Sequence, residues 1–206
     1  MTRLSHIIIL ALGFSVAHGQ TCTHTGLSKT FNFYSSIKRI REYKSFDSCI
    51  VTIRVKNKTT KKIIQTVHFT TKFLFDSSYV NCNNVRSYTT GKNKNAFVGD
   101  NDYGDMIVAD FNFDNREDFA IKRGEGGNGG PNYDYYIQTS DTTFKLDKFL
   151  SDKMIYFPSH FDKNKKTLTT LVHASAVGMG ETTFKLDTST NKWGNVGHRL
   201  ISYKEK

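Results

Sequence analysis

Short runs of β-branched and aromatic residues recur along this chain, divided by turn-forming clusters, and no segment carries a convincing helical stripe. Chains patterned this way bury their apolar faces by pairing strands, so the fold class is mainly β. Ser48–Val55 and Lys62–Phe69 are joined by a polar turn and read as a hairpin whose tip, Lys56–Lys62, concentrates positive charge. Further strands are expected at Met106–Phe111, Phe119–Lys122, Tyr133–Gln138, Thr142–Leu146, Leu168–Val177 and Thr182–Leu186. Only Ser36–Tyr43 and the neighbourhood of Lys145–Lys153 pass for short helices. One motif repeats: Asp141-Thr-Thr-Phe-Lys-Leu-Asp147 returns as Glu181-Thr-Thr-Phe-Lys-Leu-Asp187, 40 residues later. That offset is close to a propeller blade, about 40–45 residues. The expected architecture is therefore propeller-like, or a related antiparallel β arrangement.

The first residues have the composition of a secretion signal. Arg3 supplies a basic start, Leu4–Val16 are largely apolar, and Ala17-His18-Gly19 offers a small-x-small cleavage pattern. Residues 1–19 are thus expected to be removed, leaving 20–206 as a single β-rich domain in the periplasm or outside the cell, with no transmembrane segment. Export makes a disulfide reasonable among Cys22, Cys49 and Cys82. The sequence favours Cys49 with Cys82, because both flank strand-like segments. The formal charge of +10 suits anionic surroundings. No nucleic-acid-binding pattern accompanies it, so nucleic acid is not an expected partner. Asn57-Lys58-Thr59 is formally a glycosylation sequon, relevant only in a eukaryotic host.

Asp110-Phe-Asn-Phe-Asp-Asn-Arg-Glu-Asp118 carries the clearest chemistry. Side-chain oxygens fall at loop positions 1, 3, 5 and 9 from Asp110, Asn112, Asp114 and Asp118, and the carbonyl of Arg116 can supply position 7. Calcium takes hard oxygen ligands from a tight loop in this manner. Asn115 stands where such loops commonly carry Gly, and Asn tolerates the left-handed conformation that the bend needs. Ile121 occupies position 12, where an EF-hand needs a bidentate Glu, so this is not an EF-hand. The alternative is an Asp/Asn-rich turn between two strands.

A second feature follows at once. Gly124-Glu-Gly-Gly-Asn-Gly-Gly-Pro131 leads into Asn132-Tyr-Asp-Tyr-Tyr136. There is no phosphate-loop lysine and no dinucleotide fingerprint, so the glycines form an exposed excursion and not a nucleotide cradle. Gly129, Gly130, Asn132, Tyr133 and Tyr135 are the candidate partner-binding residues, since Tyr offers large amphipathic contact area. Against this, Tyr133, Tyr135 and Ile137 alternate and would share one inward face of a strand.

The run Met106–Ile121 resembles the calcium loops of FG-GAP/VCBS-type repeats. Gly129-Gly-Pro-Asn-Tyr-Asp-Tyr-Tyr136, Phe161–Thr170 and Glu181–Phe184 are similar to elements of a secreted bacterial family. These are the periplasmic immunity proteins that inhibit lysozyme-like effectors of bacterial-killing type IV secretion systems. The resemblance covers about residues 100–206 and implies a propeller-like fold, a structural calcium site and a tyrosine inserted into a peptidoglycan hydrolase cleft. Tyr133 is the first choice for that tyrosine and Tyr135 the second. The chain departs from the pattern at Asn115.

Hydrolysis by the protein itself is not expected. Glu117, Glu125 and Glu181 show no pairing in their spacing, and His160, His173 and His198 are scattered. The acidic trio Asp100, Asp102 and Asp105 reads as a solvated turn or a support for the calcium loop. The leading expectation is an exported, calcium-binding inhibitor of a lysozyme-like peptidoglycan hydrolase. The alternative is a calcium-dependent module that binds cell-wall or surface glycan.

Overall fold

A computed structural model describes residues 19–40, 47–74 and 78–203. The apolar start of the expected signal, residues 1–18, lies outside the described residues, as do residues 41–43 of the first expected helix. The described residues form three sheets. β1 (Gly19–His24), β2 (Phe31–Ile40), β3 (Asp47–Asn57) and β4 (Ile63–Leu74) pair antiparallel in that order. The second sheet contains β5 (Val85–Ser87), β6 (Met106–Ala109), β7 (Asp118–Gly124), β8 (Asn132–Ser140) and β9 (Thr143–Leu146). It is antiparallel except where β5 runs parallel to β6. β10 (His160–Asp162), β11 (Thr167–Ser175), β12 (Gly178–Asp187) and β13 (Lys192–Ser202) complete the third, wholly antiparallel sheet.

The second sheet is central because its two faces feed two different cores. Met106, Val108, Phe119, Ile121, Tyr136 and Phe144 pack with Phe31, Phe33, Val51 and Val55 of the first sheet. Ile107, Ala109, Ala120, Tyr133, Tyr135 and Ile137 pack with Leu168 and Phe184 of the third. Successive strand residues point to opposite faces, so covering both faces buries every residue of β6 and the first five of β7. That explains the continuous apolar run Met106-Ile-Val-Ala109, which an exposed-face strand would break with polar residues.

The mainly β expectation holds in this arrangement, and the eight expected strands fall on β3, β4, β6, β7, β8, β9, β11 and β12. The expected helix from Ser36 does not form. Its described part lies in β2, where Phe31, Phe33 and Ile37 are buried at a period of two. The second expected helix shrinks to a turn after β9, with a π-helical segment Leu150–Met154 in which Ile155 N–H reaches Leu150 O at 2.9 Å. The two repeated segments become β9 and part of β12, each antiparallel to the strand before it. Phe144 and Phe184 are both buried, and Asp147 and Asp187 each accept an N–H from the turn that follows. The sheets stay separate: no closed barrel or propeller ring forms among the described residues.

The disulfide also differs from expectation: Cys22 bonds Cys82, not Cys49. Cys49 lies on β3 with its side chain fully buried in the first core. Cys82 follows β4 in a turn that passes β1, where Cys22 sits. Flanking a strand therefore mattered less than which face the thiol occupies.

Candidate functional site

Asp110–Asp118 bridges β6 and β7, and its side chains turn inward onto their own backbone. Asp110 accepts the N–H of Asp114 at 3.0 Å and that of Asn115 at 2.9 Å. Asp114 accepts the Arg116 N–H at 2.8 Å and the Asn112 side-chain amide at 2.9 Å. Asp118, fully buried, accepts the Phe111 N–H and the Gln138 N–H, both at 2.8 Å, and so ties the loop to β8. Asn115 has φ 67°, the left-handed conformation for which an Asn in place of Gly is suited. Phe113 shares it at φ 61°, and Lys166 donates to the Phe113 carbonyl at 3.1 Å.

Burial pushes the Asp118 carboxyl well above the usual range, and the charges of Asp114 and Asp110 add to the rise against the two N–H donors. Burial likewise raises Asp110, with Asp114 adding to it. Three acids on one loop thus repel one another. Among the described residues, no three His, Cys, Asp or Glu side chains gather closely enough to hold a metal. The loop combines the expected oxygen set with a complete turn network, and its carboxylates accept N–H bonds in the arrangement seen.

Glu117, one of the carboxylates considered for catalysis, is an anchor. It accepts Ser28 Oγ at 2.6 Å, Lys29 N–H at 2.7 Å, Thr30 N–H at 3.0 Å and Thr89 Oγ1 at 3.1 Å. Burial opposes its ionisation, but the Ser28 hydroxyl and the Lys29 and Thr30 N–H groups outweigh it and lower its pKa. Glu117 therefore fastens the β1–β2 turn to the Asp110–Asp118 loop.

The expected partner-binding tyrosines face the other way. Tyr133 and Tyr135 are both 0 % exposed, on the β8 face that meets the third sheet. Tyr133 OH donates to Gly104 O and accepts from Tyr103 N–H, and Tyr135 OH donates to Tyr156 O at 2.7 Å. Each phenol is satisfied inside, so neither side chain can enter a partner's cleft from this position. Gly129 and Gly130 are buried too, and Asn132 is half-buried. A Cβ on Gly129 would press on the Tyr156 hydroxyl at 2.5 Å, and one on Gly130 (φ 91°) would meet the backbone Asp100 O at 2.4 Å, so Gly130 is the position that requires Gly. Gly127 and Asn128 alone form the exposed tip.

Beneath that tip lies a charged cluster with no clear signature in the sequence. Lys122, 0 % exposed and paired across the sheet with Tyr133, reaches Asp102 at 2.8 Å, Asp105 at 3.2 Å and Glu125 at 4.0 Å. Asp105 also accepts the Tyr79 N–H at 2.9 Å. Burial raises the Asp105 carboxyl to about 6 despite Lys122. Asp102 and Asp105 therefore neutralise a buried lysine and are not a support for the Asp110–Asp118 loop.

The loop that leads into this cluster, residues 88–104, is clamped from below. Arg86, only 4 % exposed, donates to three of its carbonyls, Tyr103 O at 3.1 Å, Lys94 O at 2.7 Å and Ala96 O at 3.2 Å. Next to Ala96, Phe97 is 92 % exposed. A groove beside it is bordered by Gly99, Asp100, Asp102, Asn128 and, from β11, His173 and Ser175. Sequence reasoning passed over Phe97, although an aromatic isolated in the polar stretch Gly91–Gly99 is itself a signal of a contact residue.

No protein-family model matches this chain, and no curated protein matches it. A solved structure described as a Xanthomonas type IV secretion system related protein is similar over 92 % of this chain and 85 % of its own, at 15 % identity and a TM-score of 0.47. At that level the likeness carries no argument about function. No helix among the described residues is long and apolar enough to cross a membrane.

Proposed function

We propose that this is an exported inhibitor that occludes the cleft of a lysozyme-like peptidoglycan hydrolase, with Phe97 as the inserted side chain in place of a tyrosine. The observation that carries the proposal is Phe97 itself, nine-tenths exposed on a loop whose backbone is held by a buried arginine. A large aromatic in water is unfavourable by about 1.5–3 kcal/mol relative to burial, so a fixed loop that displays one gains when a partner covers it. Fixing the loop beforehand lowers the ordering cost of binding. Asp100 borders the neighbouring groove, and beneath it Asp102, Asp105 and Glu125 outnumber Lys122, so the groove keeps an acidic excess that favours a basic partner surface even though the whole chain is basic.

In the same proposal the Asp110–Asp118 loop takes calcium through Asp110, Asn112, Asp114, Asp118 and the Arg116 carbonyl, which would relieve the repulsion among its carboxylates. The test is inhibition of peptidoglycan lysis by a panel of lysozyme-like hydrolases, using the wild-type protein beside Phe97→Asp. A hot-spot aromatic predicts at least about a thirtyfold loss of inhibition in the variant. Equal inhibition by both proteins would move the contact surface elsewhere, and no inhibition by wild type would end the reading.

A further inference from the structure

The outer face of the third sheet holds a trough at the far end of β11 from the Phe97 groove. Its floor is a cross-strand row. Thr169 pairs with His160 on one side and with Thr183 on the other, and the two threonine hydroxyls lie 3.1 Å apart. In the next row Thr167 pairs with Lys185, and Lys185 pairs with Gly194 on β13. Gly194 leaves the floor bare: a Cβ built there meets nothing within 4 Å. A bulge in β13 follows, between the partners of Thr183 and Phe184, and such bulges re-aim an edge strand where something must fit against it. Trp193, half-buried with its ring 6.3 Å from that of Phe113, stands at one end.

Charge around the trough is unbalanced. Lys165, Lys166, Lys185 and Lys192 border it against Asp162 and Asp187. Both carboxylates are already engaged, Asp162 by the Lys165 N–H and ammonium, and Asp187 by Ser189 and Thr190. Lys185 and Lys192 are exposed and make no ion pair among the described residues. Hydroxyls and bare backbone on the floor suit hydrogen bonding to a polyol, and unpaired ammonium groups at the rim suit its negative substituents. No run of aromatic rings on which successive nucleic-acid bases would stack borders this floor, where His160 and Trp193 are the rings among the bordering residues.

We propose that the β10–β13 trough binds a sugar chain bearing negatively charged groups. The site is separate from the Phe97 surface and goes beyond the inhibitor reading, so each can fail alone. The ligand lies across β11, β12 and β13, with its hydroxyls over Thr169 and Thr183 and its charges beside Lys185 and Lys192.

The test is binding of the full exported chain to short polygalacturonate, to the same oligomer with its carboxyls methyl-esterified, and to single-stranded DNA of similar length. Wild type should bind polygalacturonate about tenfold or more tighter than the ester or the DNA, with affinity falling as salt rises. Gly194→Phe fills the trough at a position with open space, and should lose about tenfold or more in affinity while melting at the wild-type temperature. The double variant Lys185→Glu with Lys192→Glu should lose at least as much. Phe97→Asp should bind the sugar as wild type does. Equal affinity for ester and acid, tighter binding of DNA, or undiminished binding by Gly194→Phe would each overturn the proposal.

Discussion

The central sheet and the third sheet are built from similar sequence but meet different surroundings. β8 and β12 both alternate aromatic or aliphatic residues with polar ones, as Tyr133-Asp-Tyr-Tyr-Ile137 and Thr182-Thr-Phe-Lys-Leu186. In β8 both faces are covered, so Asp134 is buried and answered by Arg123 at 3.1 Å. In β12 only one face is covered, so Phe184 and Leu186 are buried while Lys185 and Asp187 stand in water. A polar residue between two apolar ones is thus an internal ion partner in one sheet and part of an open surface in the other. The difference shows that alternation locates a strand, whereas function depends on whether the second face finds a cover.

Truncating one residue in each sheet separates the covered face from the open one. Tyr135→Ala should destabilise by about 3–5 kcal/mol through the cavity it leaves, whereas Lys185→Ala should stay within about 0.5 kcal/mol; denaturant unfolding of both variants measures the contrast. A similar cost for both would mean that the third sheet is covered in solution.

Calcium comes next in size. At a hundred times its dissociation constant it should stabilise the folded protein by about 2.7 kcal/mol. Asp114→Ala should abolish most of that gain, read as the difference in melting temperature between EDTA and calcium. No shift in wild type would leave the Asp110–Asp118 loop as a turn that closes β6 onto β7.

The seam between the first and central sheets predicts two opposed pH effects. His24 and Asp105 line the same small cavity. Burial, aided by Lys92, lowers His24 from 6.5 to about 4. The unfolded chain therefore binds the extra proton first, and this contribution to stability is lost as pH falls from 6.5 towards 4. Burial raises Asp105 from 3.8 to about 6, so its contribution runs the other way and is lost as pH rises through that window. His24→Gln should make stability rise more, or fall less, than wild type on going from pH 6.5 to 4, and Asp105→Asn should do the reverse. Urea midpoints across that range check both signs.

The smallest effect on folding belongs to the proposed contact residue. Phe97→Asp should change stability by less than about 0.5 kcal/mol, because the ring touches so little of its own protein. A larger loss on thermal unfolding would show that the ring packs in solution and is not held out for a partner.

Most strands were legible from alternation and β-branching, and the Asx-rich Asp110–Asp118 turn was legible from its spacing. The left-handed bend at Asn115 followed from residue type as well. Long-range partners were not legible. Alternation placed Tyr133 and Tyr135 on one face without saying that the third sheet would cover it. Cys49 looked a better partner for Cys82 than Cys22 did, until β3 turned it into the first core. Nothing local marked Lys122 as a buried cation, because Asp105 meets it across the β6–β7 register, where the Lys122 N–H donates to Asp105 O, and Asp102 reaches it from a loop.

Steric preferences and side-chain period act over a few residues, and they were enough to set the strand-rich class, the hairpin turns and the oxygen-bearing loop. Which faces became interior, which cysteines met, and that Phe97 and neither Tyr133 nor Tyr135 was left in water were settled by long-range packing. Those outcomes depend on the packing of sheets drawn from distant parts of the chain. Burial on that scale is a property of the surface that arrives opposite a residue, and no short stretch of sequence contains it.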